Sequence, residues 1–167
     1  MDDDAKKTAL RMIPYGLYVL TSRNGAGDVA AATVNWATQT AFDPPLVVVG
    51  VKTDSGAYAM IKDSGAFALN MLGKGHHGQA FTFFKPAELA DGKISGEPFR
   101  DGATGSPILD CAIAHVECKV ASVVEQGDHH VVLGEVVGAG VAQAPDGRPD
   151  QAILTLADLG DNIFYGG

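Results

Sequence analysis

The sequence predicts a mainly β domain, an antiparallel strand set closed or nearly closed into a barrel, with a few short helices across it. Three observations carry this. The chain has 167 residues, enough for one domain with its own core, so residues 1–167 are read as one unit. Glycine is abundant, at 21 residues, and punctuates short apolar runs of strand length. Strands and helices do not alternate regularly along the chain, which argues against a parallel sheet wrapped by crossover helices.

Residues 5–13 read as a short helix. Asp4 is placed to cap it, an acidic start suits the helix dipole, and Pro14 stops it. "YGLYVLTS" follows as a strand, "RNGAGD" as a glycine-rich hairpin turn and "VAAATVNW" as the return strand. A polar run, Thr38-Gln39-Thr40, comes next and ends at Asp43-Pro44-Pro45, read as a rigid turn. "LVVVGVK" is a continuous apolar strand, expected to be buried on both faces. "DSGAYAMIKDSG" reads as a helix begun by Asp54 or Ser55 and ended by Gly65, and "AFALNML" as a strand.

In "HHGQAFTFFKP", His77, Phe81 and Phe84 fall on one helical face. Residues 86–110 are polar and poor in periodicity, an ordered excursion of the kind that often carries function. "AIAHVECKVASVV" alternates. Ala112, Ala114, Val116, Cys118 and Val120 share one face, while His115, Glu117 and Lys119 are expected in solvent. "GDHHVVLGEVVGAGV" is a turn and strand, "QAILTLAD" a last short strand, and "DNIFYGG" a tail. The expectation is about seven strands and three helices.

Several chemistries are disfavoured. The net charge of −8, with no Lys/Arg cluster, argues against nucleic acid. No apolar run approaches a membrane span, and the acidic start "MDDDAKK" lacks the basic and apolar regions of a signal peptide, so a cytoplasmic location is expected. His76-His77 and His129-His130 are adjacent pairs whose side chains diverge, and no metal motif is present, so no metal is expected. Cys111 and Cys118 read as reduced thiols packed as small apolar groups. There is no Gly-x-Ser-x-Gly, no Walker loop and no Gly-x-Gly-x-x-Gly between strand and helix.

Two features suit an anion. One is the polar run Thr38 to Thr40. The other is "GVKTDSG", where Lys52 ends a strand and Ser55 begins a helix. Together with the small strand residues from Thr33 to Ala37, whose backbone edge can pair with a polar rim, they suggest a flat ring bearing one phosphate.

At this point the chain resembles the flavin reductase-like, FMN-binding split-barrel family. The resemblance rests on "AATVNWATQTAFDPPLVVVGVKTDS", "SGAFALNML", "FFKP", "SPILDCAIAHVECKV" and "GDHHVVLGEVV", in that order, over roughly residues 12–140. It is especially similar to the flavin reductase module of cyanobacterial diflavin proteins.

The resemblance implies a six-stranded Greek-key split barrel, usually a homodimer with the flavin near the subunit interface. FMN is the implied cofactor, FAD the alternative, and NAD(P)H the co-substrate. It places Thr33, Val34, Asn35 and Trp36 along the flavin ring, Thr38, Gln39 and Thr40 along the ribityl and phosphate, and Lys52 and Ser55 at the phosphate. Where relatives often carry Ser-x-Ser, this chain has Gln39-Thr40-Ala41. His129, in Gly127-Asp128-His129, falls where relatives hold a histidine near flavin and nicotinamide. The implied activity is an NAD(P)H:flavin reductase that feeds a monooxygenase or another acceptor. The alternatives are an FMN-binding electron carrier without its own NAD(P)H reaction, and a barrel that binds haem or has lost its ligand.

Overall fold

The computed structural model describes residues 1–166. Helix α1 (Asp3–Arg11) is capped by Asp2, whose carboxylate accepts from the amides of Asp4 and Ala5, so the cap lies two residues before the expected Asp4. Strands β1 (Tyr18–Arg23) and β2 (Val29–Val34) form the expected hairpin.

The polar run is itself a strand, β3 (Ala37–Phe42), paired with β4 (Pro45–Lys52) through a register shift between Gln39 and Ala41. Its side chains lie largely in solvent because it is an edge strand, which is why its sequence lacks strand periodicity. Strand β4 is buried fully only at Val49 and Val51, not on both faces as expected. One face meets the barrel interior and the other is only partly covered.

Helix α2 (Gly56–Ser64) begins at Ser55, whose hydroxyl accepts from the Tyr58 amide, and ends at Gly65. Strand β5 (Ala66–Met71) is followed by a short helix, α3 (His77–Thr82). The excursion over 86–110 contains small strands: β6 (Leu89–Ala90), β7 (Lys93–Ile94), β8 (Glu97–Asp101) and β9 (Pro107–Leu109). These were not legible as strands because two- to five-residue segments carry no period. Strands β10 (Ala114–Val124) and β11 (His129–Val141) form the longest hairpin. The expected last strand is instead helix α4 (Pro149–Ala152), two isolated bridges at Ile153 and Thr155, and a 3₁₀ turn (Leu156–Leu159).

The main sheet has seven antiparallel strands in the order β2-β1-β5-β10-β11-β4-β3, one more than the resemblance implied because the polar run pairs. The chain passes from β4 over α2 to β5 on the far side, a crossing that gives the Greek-key path. Inside the barrel lie Leu20, Val49, Val51, Ile61, Phe67, Leu69, Cys118 and Val132. A second apolar cluster holds Leu17, Val19, Leu72, Phe83, Ile94, Leu109 and Leu154, and joins the small sheet to the end of the barrel. Asn70 ties the two sheets together. Its amide nitrogen donates to Val19 O and Thr21 Oγ1, both at 3.0 Å, and its oxygen accepts from Leu109 N at 2.9 Å.

On β10, Val116, Cys118 and Val120 face the barrel and Lys119 faces solvent, as expected. Glu117 does not. The excursion folds back over that face and buries it, and its carboxylate accepts from the Thr104 amide and hydroxyl at 2.8 and 3.0 Å. His115 is half-buried beside Gly140. The thiols of Cys111 and Cys118 are free, and burial pushes both up to about 12.

Burial alone would raise the Glu117 carboxyl, but the hydrogen bonds from Thr104 and Ala103 outweigh it and hold it below its ordinary value. A depressed folded pKa means that its stabilisation is whole above about pH 4.3 and fades as the pH falls through the folded value. In urea unfolding, Glu117→Gln should lie about 1–2 kcal/mol below wild type near neutrality and converge with it in acid. A gap that stays constant with pH would remove the carboxylate from this account.

Candidate functional site

The two edge strands of the main sheet, β2 and β3, are consecutive in sequence. The chain passes from one edge to the other through Asn35 and Trp36 alone. The Gly50 amide donates to Trp36 O at 2.8 Å and fastens this crossing to β4. The indole lies against Gly50, where a Cβ would stand 3.2 Å from Trp36 Cε3. Glycine at this position lets the ring rest on the strand backbone.

A cavity of about 280 Å³ opens at this crossing. Leu17, Phe83 and Leu156 from one apolar cluster, and Val51 and Ala57 from the other, form much of its lining. Thr33, Val34 and Asn35 line it from the crossing, Lys52 and Ser55 from the end of β4 and the start of α2, and His129 from the start of β11. These six residues from three separate parts of the sequence are brought together around one cavity. Lys52 and His129 are direct partners in the β4–β11 register.

Part of the backbone edge expected to face a ligand is already in use. The Thr33 amide donates to Phe83 O at 2.9 Å and its hydroxyl to Ala80 O at 2.8 Å, because the end of α3 covers that edge. Val34 faces its partner Tyr18 on β1, so with Trp36 O bound to Gly50, the Thr33 carbonyl and Asn35 remain to meet a ligand.

Thr38, Gln39 and Thr40 are not brought to this cavity. Strand β3 runs away from Lys52: Thr38 pairs with Val48 and Gln39 with Val47, while Thr40 Oγ1 donates to Leu46 O at 3.5 Å. Leu46 lies six positions from Lys52 along β4, roughly 20 Å at about 3.3 Å per residue. Within one chain a single phosphate cannot touch both groups. Thr38 and Gln39 instead line a separate cavity of about 330 Å³ with Tyr18, Leu46, Val47 and Val136.

At the start of α2, Ser55 Oγ donates to Lys52 O at 2.7 Å and accepts from Tyr58 N at 3.1 Å, so its hydroxyl is committed to the cap. The first amides of α2 have no acceptor within the helix. Lys52 pairs with Asp54 at 3.1 Å, and that carboxylate raises the ammonium pKa.

Beside Lys52, His129 Nδ1 lies 3.0 Å from Asp128 Oδ1, and Nε2 lies 2.7 Å from the Tyr165 hydroxyl. The histidine lowers the Asp128 pKa through this hydrogen bond. Trp36 touches both His129, with ring centroids 4.6 Å apart, and Tyr165, at 5.3 Å. His130 turns the opposite way, as expected, and bonds the Tyr58 hydroxyl. Among the described residues the buried indole Nε1 has no acceptor.

Sequence reasoning missed Tyr165, Phe83, Leu17 and Leu156. Their signal was weak, since each looks like ordinary core or tail. The aromatic pair in "IFYGG" was the nearest hint. No cluster of three or more His, Cys, Asp or Glu suited to a metal occurs among the described residues, and no helix there is long and apolar enough to cross a membrane.

The arrangement resembles known proteins along most of the chain. Residues 10–160 match the family model described as "Flavin reductase like domain". The chain is 32% identical over 145 residues to Diflavin flavoprotein A 1 of Synechocystis, covering 86% of this chain and 25% of that protein. It is 30% identical over 141 residues to Flavin reductase (NADH) of Kitasatospora aureofaciens, covering 84% and 73%. The solved styrene monooxygenase flavin reductase of Pseudomonas putida S12 superposes with a TM-score of 0.71 at 29% identity, covering 82% of this chain and 87% of that one. The chain spans a quarter of the first of these relatives, well under its full length.

Trp36 is the single tryptophan, so its emission reads the crossing directly. Gly50→Val should push the indole off β4, cost about 1–3 kcal/mol and shift the emission of the folded protein. Unchanged emission with unchanged stability would mean that the ring does not depend on this seat.

Proposed function

The chain belongs to the flavin reductase like domain family, and on that footing we propose that it is an NAD(P)H:flavin oxidoreductase with FMN in the Thr33–His129 cavity. The observation that carries this reading is the make-up of the cavity's rim and walls. Lys52 and the open amides of the α2 start lie beside the His129–Tyr165 pair on the rim, since Lys52 and His129 are cross-strand partners, and apolar side chains form the walls. A phosphate suits the lysine and the amides, and a flat ring the apolar walls.

Lys52 would pair the phosphate and α2 would supply amides, with Ser55 holding the helix start in place. The Thr33 carbonyl and the Asn35 backbone would offer groups to the ring's polar rim, Val34 would hold that edge to β1, and Trp36 would support the ring from the side of Gly50. His129 would be the catalytic residue, countering negative charge as it develops on the ring. When bound, the flavin supplies the redox chemistry, accepting hydride from the nicotinamide and passing electrons on. Thr38, Gln39 and Thr40 belong to this reading only as groups offered to a flavin held mainly by a second copy in a homodimer. FMN is favoured over FAD because the cavity is small. A monooxygenase component is the proposed electron acceptor, supported by the likeness to the styrene monooxygenase reductase.

Purified protein mixed with FMN should quench Trp36 emission and turn yellow, and NADH or NADPH should bleach it anaerobically. Protein that takes up no flavin would end this reading, and flavin-loaded protein that neither nucleotide bleaches would make it an electron carrier. Lys52→Ala should weaken FMN binding about tenfold while leaving riboflavin, which lacks the phosphate, within about twofold. Equal losses for both ligands would place Lys52 away from the phosphate.

A further inference from the structure

The segment after the 3₁₀ turn folds back across the cavity and is held from two directions. The Arg11 guanidinium, in the last turn of α1, stands 4.2 Å over the Phe164 ring and donates to Gly166 O at 3.3 Å. Asn35 Nδ2 reaches Tyr165 O at 3.5 Å. Tyr165 thereby lines the cavity, with its ring against Trp36 and its hydroxyl on His129 Nε2.

The hydrogen-bond directions follow from the donor inventory. The exposed Asp128 carboxylate only accepts, so His129 Nδ1 carries a proton and donates to it. In the neutral imidazole Nε2 then has no proton and accepts from the Tyr165 hydroxyl. The phenol proton points at the histidine and the phenol oxygen presents only lone pairs elsewhere. When the imidazole takes a second proton from solvent, at Nε2, that N–H donates to the phenol oxygen and the phenol proton must turn away. The direction of the chain reverses, and the Tyr165 hydroxyl becomes a donor toward the cavity.

We infer that Tyr165 is a positioning residue that transmits the charge of His129 to the ring site, donating into the cavity when His129 is protonated and withholding that donor when it is neutral. This rests on the flavin reductase reading above. A ring that gains negative charge on reduction would be met by the donor state and not by the lone-pair state. The charged and titratable groups around the pair are Asp128 before β11, Lys52 across the β4 pairing, Asp54 beyond it and Tyr165 itself, with Arg11 behind the tail.

Tyr165→Phe keeps the ring and removes the hydroxyl. The midpoint of His129 is read by ¹⁵N imidazole shifts, and reduction of FMN-loaded protein by NADH or NADPH is followed anaerobically from about pH 5 to 9. Wild type should be roughly tenfold faster on the acid side of that midpoint than on the alkaline side. Tyr165→Phe should lose most of that rise and stay near the alkaline wild-type rate, keeping only the smaller part that His129 exerts directly, with FMN Kd and apparent nucleotide Kd within about twofold. A variant that keeps the wild-type profile overturns the inference, as does one whose rate falls equally at every pH in step with lost FMN affinity. If wild type takes up no flavin, the functional reading fails, and the His129–Tyr165 coupling is decided by the shifts alone. Asp128 holds the Nδ1–H tautomer in both proteins; a His129 Nε2 shift that differs between wild type and Tyr165→Phe supports the coupling, and an Nε2 shift and a His129 midpoint that are the same in both overturn it.

Discussion

The bond from the Gly50 amide to Trp36 O is the constraint on which the rest of the site depends. A seven-stranded antiparallel sheet has two open edges, and here those edges belong to strands adjacent in sequence. Two residues cannot span a wide gap, so the edges are drawn together where the chain crosses and diverge beyond it. That is the physical origin of the split. It also explains why the cavity opens here, where backbone ladders on both sides have ended and polar groups need another partner. Trp36 then acts twice. Its carbonyl closes the sheet, and its ring, against Gly50, is the surface against which His129 and Tyr165 stand.

The cavity also lies on the boundary between two apolar clusters. Val51 and Ala57 belong to the barrel interior, and Leu17, Phe83 and Leu156 to the cluster beneath the small sheet. Neither cluster fills the boundary, because the elements that meet there approach from different directions. Asn70 keeps the two in register by bonding β1 and β9 at once. Such a junction places a rigid floor beneath a ligand while leaving its rim to short segments: the crossing, the start of α2 and the tail. Rigidity and access are thereby assigned to different parts of the chain.

The parts legible in the sequence are those whose cause is local. Ser55 and Gly65 bound α2 through capping chemistry that acts within a few residues, and Lys52 ends β4 because its charge leaves the interior. The opposed faces of His129 and His130 follow from strand period alone. The illegible parts have distant causes. Strand β3 is polar because it is an edge, a property of sheet order and not of its own residues. Glu117 is buried because a segment thirteen positions earlier folds over it and supplies donors. The direction of β3 away from Lys52 is fixed by the hairpin register, which Asp43-Pro44-Pro45 suggests only as a turn. The family resemblance named six of the fifteen residues that line the cavity, yet it could not show that the polar run leaves the cavity.

The electrostatics around Lys52 need one further step. The chain carries a net charge of −8, and the cation offered to an anion, Lys52, is already paired with Asp54. A carboxylate there would oppose a phosphate if the pair were fixed. It is not fixed, because both side chains are more than half exposed, at 54% and 71%. An exposed pair of this kind contributes about 0–1 kcal/mol, and Asp54 can turn to water with little loss. A phosphate carries more charge and also meets the open amides of α2, which the Asp54 side chain does not use in this structure. On the proposed reading, exchange of the carboxylate for a phosphate would be favourable at Lys52, while Asp54 and Asp128 keep the surrounding surface negative. Such a surface would disfavour extended polyanions and leave one small position for a single anion.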